Sequence, residues 1–416
     1  MKHRKKEPKQ LLNLIFFGIL LVLYSLMMMR LFYRQAIEYQ GIYYSDMKAY
    51  ILETQGLDSG FDFPYRLFFW ISRIWMIFVT PEGAVAFSTM LLNSLCVLLV
   101  KYYFDTILAD YAKREGLRWS AFWQTVSTVA VFSLFFMSMI YSEREEKFWS
   151  YDYIYRCNGI YTPNPYWNAT YLAVRPFTVL CFFLSAKVLL EYEERFSLRD
   201  GALLGASLFL ATFTKPSFTF ILGPVLAITV FWRLFAKKFS NWKNTFYLCC
   251  CFLPTVLLLL YQYRGVFMGT NSQGEETGIG FEMGKAWHVF TGNIPLSIMM
   301  ALLFPFSVLA LNWKDLRKNG AFRLAWQMMS AGFLTFLLLY EKGFRFGHMN
   351  FSWGYMHGLF FVFLISILQV IKNVMKRENL MYKLFLAPEL VTFLYHLICG
   401  IVFFCYLYQG NNAGGF

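Results

Sequence analysis

The sequence predicts an all-α polytopic membrane protein with about eleven transmembrane helices. Hydrophobic residues make up 58% of its 416 residues and charged residues only 15%, whereas soluble domains contain roughly 45–50% and 25%. Apolar stretches recur at close to the 20 residues that cross about 30 Å of hydrocarbon. Basic residues gather in every second connection, as is typical of the cytoplasmic loops of membrane proteins.

The predicted spans are 11–33, 84–107, 120–141, 171–190, 201–214, 217–235, 244–262, 294–312, 323–341, 355–371 and 385–408. The apolar segment 65–80 is about 16 residues long and contains two arginines, so we expect a surface or re-entrant helix there. Two short spans are predicted on either side of Thr214-Lys215-Pro216-Ser217, because proline interrupts helical hydrogen bonding.

The distribution of charge orients these spans. The N-terminus is basic from Lys2 to Lys9, so we expect it in the cytoplasm. Alternation from there places 23 of the 38 Lys and Arg residues in cytoplasmic segments and 12 outside. The net charge of +13 therefore marks one side of the membrane and does not require nucleic acid as a partner. Of the eight cysteines only Cys157 lies in a polar loop, which excludes a disulfide scaffold.

Four longer connections fall on the outside face, at 34–83, 142–170, 263–293 and 342–354. Asp, Asn, Gly, Pro, Trp and Tyr are concentrated in them. Connections between helices can be brief, so long polar loops on one face indicate a functional site on that face.

The first outside loop contains Asp46 at the expected start of a short surface helix. A carboxylate at a membrane interface can be partly desolvated, which raises its basicity and suits it to proton abstraction. An ordinary acidic residue in the first turn of a helix is the alternative interpretation. Tyr44 and Lys48 flank Asp46 and are candidate contacts for a sugar or an acceptor.

Three basic residues, Arg66, Arg175 and Lys215, lie within or beside apolar segments. Such a charge is costly unless it reaches the headgroup region or meets an anion. Arginine suits bidentate contact with phosphate, and Lys215 lies at a proline break, where irregular backbone lines protein or a wet cavity. Phosphate binding and extension to the headgroups both remain open for these side chains.

Two further loop segments combine amides, aromatic rings and charged groups in a way that suits sugar binding. Their candidate residues are Asn164, Trp167, Asn168, Glu341, His348 and Asn350. An aromatic belt at the interface and a structural Glu341–His348 pair are the alternatives. Asn168-Ala169-Thr170 fits an N-glycosylation acceptor, but it adjoins a span and we do not expect it to be modified.

The topology and several short motifs resemble the GT-C superfamily of polyprenol-linked glycosyltransferases, over about residues 10–240. The motifs are Ser45-Asp46-Met47, Phe63-Pro64-Tyr65-Arg66, Pro81-Glu82-Gly83, Pro163-Asn164-Pro165-Tyr166-Trp167-Asn168, Arg175-Pro176-Phe177 and Thr214-Lys215-Pro216-Ser217. The resemblance implies a single transmembrane domain with a catalytic-type module over this region. Helices from about 241 to 408 match only by hydropathy.

The resemblance also implies a glycosyltransferase of a bacterial plasma membrane, with a polyprenyl phosphate or diphosphate donor and an extracytoplasmic glycan or lipid acceptor. Asp46 would be the base or would orient the acceptor, and Arg66, Arg175 and Lys215 would bind the donor phosphate. The chain has neither a paired acidic motif in the first loop nor HExxH, so no metal cofactor is expected. The alternatives are a polysaccharide polymerase of the O-antigen type and a flippase or transporter of lipid-linked sugars.

Overall fold

A computed structural model describes residues 8–38, 41–61, 63–140, 162–267, 278–376 and 380–411. Residues 1–7, Cys157 and parts of the predicted loops 142–170 and 263–293 lie outside the described residues. The helices are α1 (Pro8–Ile37), α2 (Met47–Gln55), α3 (Leu67–Trp75), α4 (Pro81–Arg114), α5 (Ala121–Phe136), α6 (Ala169–Glu191), α7 (Leu198–Thr214), α8 (Thr219–Ala236), α9 (Trp242–Phe267), α10 (Lys285–His288), α11 (Ile294–Leu311), α12 (Trp313–Leu316), α13 (Gly320–Leu338), α14 (Ser352–Met375) and α15 (Leu380–Tyr408).

The fold is that of an all-α polytopic membrane protein, as predicted. Within the described residues, nine helices are long and apolar enough to cross a membrane. Each of the eleven predicted spans coincides with a helix, but α5 and α7 have only 16 and 17 residues and are shorter than the other nine. Helix α3 has nine residues and is about 14 Å long, too short to span the membrane.

The predicted interruption after Thr214 is present. Helix α7 ends there, a short 3-10 helix runs from Pro216 to Phe218, and α8 begins at Thr219. Proline provides no backbone N–H to continue the ladder of α7. Lys215 lies between the two helices with extended backbone, φ −166° and ψ 119°.

Two predicted spans end earlier than the apolar pattern indicates. Helix α5 stops at Phe136 instead of residue 141. Helix α13 stops at Leu338, and the next three residues form strand β2 (Leu339–Glu341), which pairs antiparallel with β1 (Ile279–Phe281). Hydropathy could not reveal this pairing, because the two strands are far apart in the sequence.

Helix α14 is the centre of the bundle and is buried along most of its length. Its closest neighbour is α13, and small residues permit the approach. A Cβ atom on Gly332 would lie 2.9 Å from the Cα of Tyr355, and one on Gly358 would lie 2.9 Å from the Cα of Met329. Packing of small residues is a common basis for association between membrane helices.

The short helices α2 and α3 lie at one end of the bundle, between the end of α1 and the start of α4. Alternation of the long helices brings the starts of α6, α8 and α14 to the same end. The end of α15 lies there as well, since the backbone N–H of Tyr43, just before α2, donates to Gly410 O at 2.8 Å. We call this the loop end of the bundle.

Candidate active site

Asp46 immediately precedes α2, at the loop end, but its side chain makes no capping hydrogen bond. Its Oδ2 atom instead accepts hydrogen bonds from Tyr50 Oη at 3.1 Å and from Asn168 Nδ2 at 2.7 Å. Tyr50 is one helical turn further along α2, so helix periodicity brings its hydroxyl to the carboxylate. The carboxylate is therefore oriented by two donors.

Asp46 remains accessible to solvent, whereas Tyr50 and Asn168 are buried. The protein groups packed around Asp46 partly shield its carboxylate from water, and this desolvation raises its pKa above the ordinary value. The charge of Lys215 and the two hydrogen bonds from Tyr50 and Asn168 act in the opposite direction. An accessible carboxylate with raised basicity can accept a proton from a hydroxyl that approaches from outside.

Asn168 is the N-cap of α6, and this role fixes the orientation of its amide. Its Oδ1 atom accepts from the backbone N–H of Tyr171 at 2.9 Å, which leaves Nδ2 directed toward Asp46. The same Oδ1 accepts from Lys215 Nζ at 3.2 Å. With 1% exposure, Asn168 is inaccessible for glycosylation in the folded protein.

Lys215 is 5% exposed and projects from the break between α7 and α8. Its ammonium group donates to Asn168 Oδ1 and to Thr170 Oγ1, the latter at 3.1 Å. The rings of Trp353 and Tyr65 lie 4.3 and 5.8 Å from Nζ. Burial lowers the pKa of Lys215 to about 7, although the charge of Asp46 acts in the opposite direction.

A cavity of about 620 Å³ begins at Lys215. Its walls are largely apolar and come from α8 (Phe220, Pro224) and α9 (Val256, Leu260). Phe220, Val256 and Leu260 are exposed although they line the cavity, which shows that it is open along this wall. The cavity therefore reaches the side of the bundle between α8 and α9, where the bilayer interior would lie.

A second polar group lines the cavity near the loop end. Glu341 accepts hydrogen bonds from Arg345 Nε at 3.1 Å and from Asn350 Nδ2 at 2.5 Å. His348 lies beside them, with its ring 5.3 Å from that of Phe61. The structure thus brings Glu341, His348 and Asn350 to the same cavity as Lys215.

Arg175 and Asn164 lie elsewhere. The guanidinium of Arg175 is fully buried and donates to the carbonyl of Pro163 and to Asn164 Oδ1, the latter at 2.8 Å. It also lies against the ring of Phe360, at 4.8 Å. These contacts hold the segment before α6, and neither Arg175 nor Asn164 lines the cavity.

The other predicted residues occupy the rim of the loop end. Arg66 is half-exposed and forms an ion pair with Glu53 at 2.9 Å. Trp167 packs with its ring 6.0 Å from that of Phe403. Tyr44 and Lys48 are exposed near Asp46. None of these four predicted residues lines the cavity.

Tyr50 and Thr170 were not among the predicted candidates, nor was Arg345. A tyrosine four residues after Asp46 on an expected helix was an available signal for Tyr50. In the sequence, Thr170 stood out only as the third residue of the glycosylation motif Asn168-Ala169-Thr170, which we did not expect to be modified. Nothing local in the sequence indicates that Arg345 lines the same cavity as Lys215.

The described residues contain no group of three or more His, Cys, Asp or Glu side chains that could hold a metal ion. No protein-family model matches this chain. A search of curated proteins finds no significant match either.

Proposed function

We propose that this protein is a membrane glycosyltransferase that moves a sugar from a polyprenyl phosphate or diphosphate to an acceptor hydroxyl at Asp46. One observation carries the proposal. The accessible carboxylate of Asp46 and the buried ammonium of Lys215 belong to one hydrogen-bonded cluster, joined through Asn168, and Lys215 lines a largely apolar cavity.

The cavity favours an amphiphilic donor. Apolar walls bind an isoprenoid chain through the hydrophobic effect. The chain can enter from the side of the bundle, between α8 and α9. A phosphate at its end would then meet Lys215, and a charge-assisted hydrogen bond to a phosphate oxygen stabilises it.

Asp46 favours transfer to a hydroxyl. Its Oδ2 atom is engaged by Tyr50 and Asn168, and the acceptor approaches from the accessible side. As the acceptor oxygen attacks the anomeric carbon, Asp46 takes its proton and the electron pair of the broken bond goes to the phosphate oxygen. Positioning and charge stabilisation supply most of the rate enhancement in such a site.

The other cavity residues have supporting roles in this proposal. Glu341, His348 and Asn350 face the sugar of the donor, and Tyr44 and Lys48 lie where an acceptor would approach. Arg66 and Arg175 are assigned structural roles because their described partners are protein groups. The distribution of basic residues favours an extracytoplasmic position for the loop end.

The test uses membranes that contain the wild type, Asp46→Asn or Asp58→Asn, supplied with a panel of radiolabelled polyprenyl-phosphate sugars. Asp58 is an exposed carboxylate of the same loop that accepts from the backbone N–H of Gly60, so Asp58→Asn is the matched control. We expect label to leave the lipid in the wild type and in the control, but not in Asp46→Asn. Label that crosses the bilayer while still attached to the lipid, in all three proteins, would instead identify a transporter.

A further inference from the structure

Four side chains at the site form a continuous hydrogen-bonded chain. Asp46 Oδ2 lies 3.1 Å from Tyr50 Oη, which lies 3.3 Å from Thr170 Oγ1, which in turn lies 3.1 Å from Lys215 Nζ. The two hydroxyl groups in the middle belong to residues with 1% and 0% exposure. The chain therefore joins a solvent-accessible carboxylate to an amine on the cavity wall through groups shielded from water.

The donors and acceptors can be arranged in one direction along this chain. A charged lysine only donates and an ionised carboxylate only accepts, and Tyr50 donates to Asp46. The single proton of Thr170 can be donated either to Asn168 Oδ1, 2.9 Å away, or to Tyr50 Oη. When it is donated to Tyr50, every hydrogen bond points from Lys215 toward Asp46.

We propose that Tyr50 and Thr170 form a proton relay between Asp46 and Lys215, which restores both groups after each sugar transfer. Asn168 also joins the two ends, but its Nδ2 only donates and its Oδ1 only accepts. It positions the end groups and cannot itself pass a proton along. The relay rests on the proposed function, because it acts on a proton taken from the acceptor.

The proton balance closes within the site. Asp46 takes the acceptor's proton as the new glycosidic bond forms, and Lys215 gives a proton to the departing phosphate oxygen. This leaves a neutral carboxylic acid and a neutral amine. After the carboxyl group of Asp46 turns its O–H toward Tyr50 and the two hydroxyl groups reverse their hydrogen bonds, Asp46 donates to Tyr50, Tyr50 to Thr170 and Thr170 to Lys215, which regenerates the carboxylate and the ammonium.

The electrostatics of the site are compatible with these steps. Burial lowers the pKa of Lys215 to about 7, close to the second pKa of a phosphate monoester at about 6, so a proton can move between them. The titratable and charged groups around Lys215 are Asp46 across Asn168, Tyr65 beside the cavity, His357 from α14, and Glu341, Arg345 and His348 on the walls of the same cavity. Lys215 and Tyr50 face Asp46.

The test compares the purified full-length wild type with Thr170→Val, Thr170→Ser, Tyr50→Phe and Thr178→Val. The donor is the polyprenyl-phosphate sugar that the wild type uses fastest. Thr178 is a buried threonine on the same helix whose hydroxyl donates to the backbone carbonyl of Arg175 at 2.9 Å, so Thr178→Val is the matched control. Both kcat and KM are measured in H₂O, in D₂O and in mixtures of the two.

We expect Thr170→Val and Tyr50→Phe to lower kcat by at least about tenfold, since proton-transfer groups contribute about 10²-fold or more. The KM of the donor should remain within about twofold, because Lys215 is retained. Thr170→Ser keeps the hydroxyl and should retain most of kcat, and Thr178→Val should match the wild type. In the wild type, the plot of rate against deuterium fraction should curve, because several protons move together, and in Thr170→Val it should be linear.

A Thr170→Val enzyme with wild-type kcat and a curved plot would overturn the relay and leave the proposed function intact. A Thr170→Ser enzyme as slow as Thr170→Val would also overturn it, because the hydroxyl would then not be the required feature. If the wild type transfers sugar from no donor of the panel, the proposed function fails and the relay fails with it. The two failures are therefore distinguishable.

Discussion

Two polar clusters at opposite ends of the described part of the bundle can be compared, because in each a carboxylate accepts hydrogen bonds from amide side chains. At the end of the bundle opposite the loop end, Glu389 of α15 accepts hydrogen bonds from Asn312 and Asn373, and Gln369 donates to Asn373 Oδ1 at 3.0 Å. Glu389 has 0% exposure. At the loop end, Asp46 receives a similar amide hydrogen bond but is accessible to solvent.

In our proposal, the difference between the clusters is what separates a structural carboxylate, Glu389, from a functional one, Asp46. Both oxygens of Glu389 are occupied by amide donors, and the cluster does not line the large cavity. The described donors to Asp46 both reach Oδ2, and a buried cation beside the cavity completes its cluster. The two clusters contain similar chemical groups. They differ in the solvent accessibility of the carboxylate and in the presence of the Lys215 ammonium group near Asp46.

The largest expected effect comes from changing the two carboxylates to their amides in turn. Asp46→Asn should lower sugar transfer by at least about a hundredfold, because the base is lost while the shape is kept. Glu389→Gln should leave transfer within about threefold of the wild type. The comparison fails if the two variants have similar rates when assayed at equal amounts of folded protein in the membrane.

Lys215→Met should weaken donor binding by about tenfold to a hundredfold, since a hydrogen bond to a charged group contributes about 1.5–3 kcal/mol. With its pKa at about 7, Lys215 is charged below that pH and loses its charge as the pH rises through it. The KM for the lipid donor should therefore increase above about pH 7.

Lys215→Arg sharpens this prediction, because arginine remains charged across the range. Between pH 6 and pH 9, the donor KM of this variant should change much less than the donor KM of the wild type. Kinetics at a series of pH values measure both profiles. A wild-type KM that is flat over the same range would contradict the assignment of Lys215 to the donor phosphate.

Glu389→Ala should destabilise the protein by about 2 kcal/mol, because it leaves buried amide groups without their acceptor. Sugar transfer at a temperature where the variant stays folded should be unchanged. Thermal unfolding in detergent and a transfer assay on the same preparation provide the two readouts. Loss of transfer without loss of stability would show that the far cluster takes part in function.

Arg66→Ala should have the smallest effect. Its ion pair with Glu53 is half-exposed, and such pairs contribute about 0–1 kcal/mol. We expect the donor KM of Arg66→Ala to differ from that of the wild type by less than about fivefold. If Arg66→Ala weakened donor binding as much as Lys215→Met does, Arg66 would have to be assigned to binding of the donor phosphate.

The helical membrane fold was predictable from the sequence, because the bilayer itself requires long apolar runs and biases the charge of the connections between them. The break at Lys215 was predictable too, since proline acts locally. The early end of α13 at Leu338 was not predictable, because the next residues pair with a strand more than 50 residues earlier in the chain.

The candidate site was predictable only as separate residues. Asp46, Asn168 and Lys215 each stood out by their local surroundings, but their hydrogen bonds span sequence separations of 122 and 47 residues. Arg175 was the least informative candidate. An arginine in an apolar helix indicates the need for a partner, and here the partners are a carbonyl and an amide of the preceding loop.

The most direct test of the central idea is to locate a lipid phosphate on the protein. A polyprenyl phosphate with a photoreactive diazirine on its chain is irradiated with the wild type and with Lys215→Met, and the attached peptides are identified by mass spectrometry. We expect attachment at the cavity walls around Phe220 and Val256 in the wild type, reduced about tenfold or more in the variant. Attachment spread over the outer surfaces of the bundle, and equal in both proteins, would contradict a donor site at Lys215.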